Sequence, residues 1–113
     1  MNTENTQQIN RLTVTFRIEP GCLGPQGADH VIEFCNMAQL SFSKIEEELI
    51  HWEIIPRFDK SLDEIEFKLG NKILNLSQTQ KYFNVINKSL NDTEDLLHNK
   101  IADLIDEFMQ QSS

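Results

Sequence analysis

Few side chains in this sequence are spaced for chemistry, and three of them fall in or beside one loop. Pro20-Gly-Cys-Leu-Gly-Pro-Gln-Gly27 holds three glycines and two prolines, and Asp29 and His30 follow it. A thiol near a helix start has a lowered pKa and is a better nucleophile. A nearby imidazole can then act as its base. Cys22, His30 and Asp29 are therefore the candidate catalytic set, with the backbone of residues 24–30 as an anion or oxyanion cradle. The loop lacks the Lys-Ser/Thr ending of a phosphate-binding loop, and Gly21, Gly24 and Gly27 do not have dinucleotide-fold spacing. A tight strand-to-helix connection with an ordinary loop thiol is the plainer reading. Cys35 falls among apolar helix positions and reads as a small core residue.

A second group of polar residues lies on strands. Arg11, Thr13, Thr15 and Arg17 alternate with Leu12, Val14, Phe16 and Ile18. His51 and Glu53 alternate in the same way with Ile50, Trp52 and Ile54. In one sheet, Arg11, Arg17, His51 and Glu53 share a polar face on which a small anionic ligand can bind. The same face can instead be closed by cross-strand ion pairs with Glu53, Glu64, Glu66 and Lys68, each worth at most about 1 kcal/mol. His51-x-Glu53 offers two metal ligands, and the third would have to come from elsewhere, such as Glu46-Glu47-Glu48. The chain has no Cys-x-x-Cys, and no histidine falls in His-x-x-x-His or Glu-x-x-His on an expected helix. The expectation is no metal site and no cofactor.

The elements that must carry these residues are readable from periodicity. Alternation over 11–19 predicts a strand. Val31, Phe34, Cys35, Ala38 and Phe42 make one stripe of a helix over about 30–42, for which Asp29 is the expected N-cap. Leu49–Ile55 reads as a second strand ended by Pro56, and residues 63–69 alternate again. Gly70-Asn71 suits a two-residue hairpin turn that sets Phe67 opposite Leu74 and Ile65 opposite Leu76. Ser77-x-x-Gln80 has capping-box spacing for a helix to about Ser89, with Tyr82, Phe83, Val85, Ile86 and Leu90 as its apolar positions. Asp92 is the expected cap of a last helix whose stripe runs through Leu97, Ile101, Leu104 and Phe108. The expected fold is α+β, a four-stranded antiparallel or mixed sheet with helices on one face, in the order β-α-β-β-β-α-α. Residues 1–9 read as a disordered polar tail, and residues 10–111 as a single α+β domain.

Composition narrows the function by exclusion. The 113 residues carry 18 acids against 10 basic residues, a formal charge of −8. That balance disfavours nucleic acid and anionic membranes. The polar N-terminus and two cysteines point to a cytoplasmic setting. Residues 92–113 hold six acids against Lys100 alone. The expectation is a non-catalytic protein-interaction domain, homodimeric or binding a basic or amphipathic segment of another protein. An enzyme or redox protein centred on Cys22, and a small-anion binder on the polar sheet face, are the alternatives.

Overall fold

Alternation at Leu12, Val14, Phe16 and Ile18 becomes β1 (Leu12–Ile18), the inner strand of a four-stranded sheet. The computed structural model describes residues 11–112, so the polar stretch at 1–9 lies outside the described residues. β1 runs parallel to β2 (Ile50–Pro56), with Val14 opposite Trp52. On its other side it pairs antiparallel with β3 (Ile65–Leu69), with Val14 opposite Phe67. β4 (Lys72–Ile73) closes that edge, giving the order β2-β1-β3-β4. A 3-10 turn at Pro20–Leu23 leads into α1 (Gly27–Phe42), which carries the chain from β1 to β2. A parallel neighbour reached through a helix makes the sheet mixed. α2 (Leu76–Val85) and α3 (Leu90–Ser112) complete the expected order.

β1 and β2 bury the same face, and Ile65, Phe67 and Leu69 of β3 pack against it while β4 stays exposed. Leu12, Val14, Phe16 and Ile18 of β1 and Ile50, Trp52 and Ile54 of β2 lie in one cluster with the α1 stripe and with Leu97, Ile101, Leu104 and Phe108 of α3. Each large apolar side chain so buried contributes about 1.5–3 kcal/mol. Aromatic rings join the layers: Phe34 meets Phe108 at 5.5 Å, Phe42 meets Trp52 at 5.1 Å, and Phe67 meets Phe83 at 6.0 Å.

β2 is an edge strand, and a side chain closes its open backbone. The Gln39 amide of α1 donates Nε2 to the Trp52 carbonyl at 2.7 Å and accepts the Ile54 N–H on Oε1 at 2.8 Å. One glutamine thus takes the place of a neighbouring strand's peptide group.

Several element boundaries differ from expectation. α1 begins at Gly27, two residues before Asp29, and Asp29 sits in its first turn. The helix start is fixed by contact with the preceding turn, because a Cβ on Gly27 would lie 1.7 Å from the Pro20 oxygen. The capping box of α2 is Asn75 with Gln78, not Ser77 with Gln80. Asn75 Oδ1 accepts the Gln78 N–H at 2.8 Å, and Gln78 Oε1 accepts the Asn75 N–H at 2.9 Å. Leu76 is therefore the exposed first residue of a helix rather than the cross-strand partner of Ile65. The hairpin keeps its expected register nonetheless, with Gly70 at φ 61 and the Leu74 N–H donating to the Phe67 carbonyl at 2.8 Å.

α2 stops at Val85, short of Ser89. Asn87 adopts φ 61, and the Lys88 N–H reaches back to the Phe83 carbonyl at 2.9 Å. That pair is a Schellman ending with asparagine where glycine is commonest. Val85 is exposed, and Thr79 is buried beside Phe83. Ser89, not Asp92, caps α3: its Oγ accepts the Asp92 N–H at 3.1 Å.

Candidate functional site

The thiol loop does not assemble the expected catalytic set. Cys22 is exposed on the 3-10 turn, and its backbone N–H donates to the Glu19 carbonyl at 3.0 Å. Asp29 is exposed. His30 sets its ring edge-on to Phe108, 6.2 Å between centroids. Among the described residues no side-chain hydrogen bond joins Cys22, Asp29 and His30.

Cys35 is buried in the core as expected, and burial pushes its thiol from 9.0 up to about 12. Below about pH 9 this thiol is neutral in both folded and unfolded chains, so it adds no pH dependence. Above that, the unfolded chain ionises while the folded chain holds its proton. Stability is then lost with rising pH, by up to about 1.4 kcal/mol per unit. Denaturant unfolding from about pH 8 to about pH 11 spans the onset near 9.0 and should show this slope, and Cys35→Ala should reduce it. Under native conditions iodoacetamide should modify Cys22 alone. Rapid modification of Cys35 in the folded chain would contradict the packing around it.

The polar face of the sheet is largely tied up in its own pairs. Arg17 donates to the Asp63 carbonyl at 2.7 Å and pairs with Glu66 at 3.2 Å. Glu53 accepts the Thr15 hydroxyl at 2.8 Å and lies 4.0 Å from Lys68. Thr15, held by Glu53 on this face, is only 1% exposed. Arg11 departs from the expected pairing with an acid and donates to Nδ1 of His51 at 2.9 Å. Of the four residues proposed for an anion, Arg11 and His51 are together, while Arg17 and Glu53 are engaged elsewhere. Among the described residues no three His, Cys, Asp or Glu side chains converge as a metal site.

Sequence periodicity did not point to a cleft on the helical side of the sheet. It holds about 370 Å³, within the range of ligand pockets. Ile45, Ile50, Trp52 and Leu96 give it an apolar floor, and Glu46, Asn87, Lys88, Ser89, Asp92 and Thr93 form the rim. The floor is anchored by Trp52, only 1% exposed, whose indole N–H donates to the Ile45 carbonyl at 2.8 Å. Lys88 and Glu46 form an ion pair across the rim. Lys88 therefore pairs with the 43–49 turn rather than with the acidic residues of α3.

Among the described residues two non-glycines have left-handed backbone, Glu46 at φ 50 and Asn87 at φ 61, and both line this cleft. Such backbone is uncommon outside glycine, and it gathers at functional positions often enough to draw notice. A second hollow of about 430 Å³ shares Asn87, Lys88 and Ser89 and extends along Gln80 and Asn84 of α2. The two hollows flank one connection, so together they are longer than a single side chain.

Comparison of the chain with protein-family models, with curated proteins and with solved structures finds no match.

Proposed function

We propose that this chain is a non-catalytic binding domain that receives a segment of a partner protein, with an apolar side chain of the partner seated over Trp52. The observation that carries this reading is the cleft itself: an apolar floor, a charged rim, and an adjoining hollow that extends it. Burying one leucine or phenylalanine there is worth about 1.5–3 kcal/mol, enough to anchor a segment whose flanks contact the rim.

Charge selects the partner's chemistry. Glu46 and Asp92 line the cleft against Lys88, and Glu47, Glu48, Glu94 and Asp95 follow them closely in the sequence. A basic amphipathic segment complements that surface. A second copy of this chain brings another −8 and is the less suited occupant. A cytoplasmic setting is consistent with two unpaired thiols, one of them exposed. No helix among the described residues is long and apolar enough to cross a membrane.

Trp52 is the only tryptophan in the chain, so its emission reports on the cleft directly. A lysine-rich amphipathic peptide with a single phenylalanine should produce a saturable emission change, and its phenylalanine-to-alanine counterpart should not. Leu96 is 42% exposed, so Leu96→Glu should leave the fold intact. It should weaken the peptide by at least about tenfold. Binding that leaves Trp52 emission unchanged and ignores Leu96→Glu would put the interaction elsewhere.

A further inference from the structure

The geometry points to a second site on the opposite side of the sheet, a hollow that binds a small oxyanion, a carboxylate or a phosphate, between Arg11 and His51. The hollow holds about 280 Å³ and is lined by Arg11, Thr13, His51 and Gly70. Among the described residues every side chain in that lining is a donor, and none is a carboxylate. In a chain of net −8, such a surface is unusual.

The donors are pre-set. Arginine has no acceptor, so its hydrogen bond to His51 Nδ1 requires a lone pair on that nitrogen. The neutral ring then carries its proton on Nε2, which is left as a donor. Arg11 uses one guanidinium nitrogen on His51 and has a planar fork that suits bidentate oxyanions. Sheet register puts Thr13 opposite His51 on one side and opposite Lys68 on the other. Lys68 therefore adds a cation to the same row of the sheet. Glu53, two residues from His51 on the same face of β2, accepts the Thr15 hydroxyl and lies 4.0 Å from Lys68. Gly70 lies opposite the Arg11 position and has open space where a Cβ would stand, so the backbone leaves the approach clear.

The test is a titration of the full chain with sodium phosphate and, separately, with sodium acetate at constant ionic strength, followed by backbone and imidazole NMR. Saturable shifts centred on Thr13 and His51 are the expected result with at least one of the two anions, and the anion that saturates identifies the chemistry preferred. Arg11→Gln and His51→Gln should each weaken binding by about tenfold or more, with the amide spectrum reporting that the fold is kept. Lys81→Gln, an exposed cation on α2, should leave the affinity unchanged. Shifts that rise without saturation for both anions overturn the site. So do shifts that persist in both hollow variants or fall equally in Lys81→Gln. The hollow and the Trp52 cleft share no residue, so either can fail without the other.

Discussion

Gly27→Ala should cost more than about 4 kcal/mol, a large part of the 5–15 kcal/mol that holds an ordinary domain together. The added methyl would sit 1.7 Å from the Pro20 oxygen and 2.7 Å from its carbonyl carbon. Both are backbone atoms, so no side chain can swing away to make room. Relief requires pulling α1 off the 3-10 turn, and that turn buries Leu23 in the core. The other glycines provide the comparison. Gly21 has nothing within 4 Å, so Gly21→Ala should stay within about 0.5 kcal/mol of the parent. Gly24, at φ 88 and ψ −173, meets only the flexible end of Met109, so its alanine variant should lose about 1–3 kcal/mol to backbone strain. Urea unfolding followed by circular dichroism ranks the three. A Gly27→Ala chain within about 1 kcal/mol of the parent would mean that the turn does not pack on the helix as described.

Gln39→Leu should cost about 2–4 kcal/mol. It removes two hydrogen bonds and leaves the Trp52 carbonyl and the Ile54 N–H facing an apolar side chain. Gln39→Glu divides the effect. Its carboxylate still accepts from Ile54 but sets an oxygen against the Trp52 carbonyl, so an intermediate loss is expected. The leucine variant should also associate as concentration rises, because an uncovered strand edge is a template for another strand. Sedimentation velocity at several concentrations checks that second effect. A monomer of unchanged stability would show that the glutamine does not guard β2.

The parts of the fold set by repetition were legible in the sequence. β1 and α3 have unbroken apolar periods, and the hairpin register follows from a two-residue turn, so these could be read without knowing the rest of the chain. Caps were less legible because rival residues offer the same chemistry. Ser77 and Asn75 both precede a glutamine by three, and Asn75 prevails where β4 ends after two residues. Asp29 lost its role to a backbone contact between distant turns, which no local pattern encodes. The ion pairs Arg17–Glu66 and Lys68–Glu53 were visible in the alternation of the strands. The Trp52 cleft was not. It is built from β2, two connections and one helix start, and its shape depends on left-handed backbone at Glu46 and Asn87, residues whose types do not announce it.

The place of β1 in the sheet sets a timetable for synthesis. It is made before the other described strands, and its two neighbours arrive 38 and roughly 50 residues later along the chain. Chains grow at about 5–20 residues per second. Leu12, Val14, Phe16 and Ile18 therefore emerge seconds before any strand exists to pair with them. α1 can form in microseconds and shelter one side of that strand, but the backbone of β1 stays open until β3 has been made. The newborn chain passes through a stage in which its stickiest segment is complete and its partners are still inside the ribosome. A chaperone that holds apolar extended segments would find its target at the beginning of this chain rather than at its end.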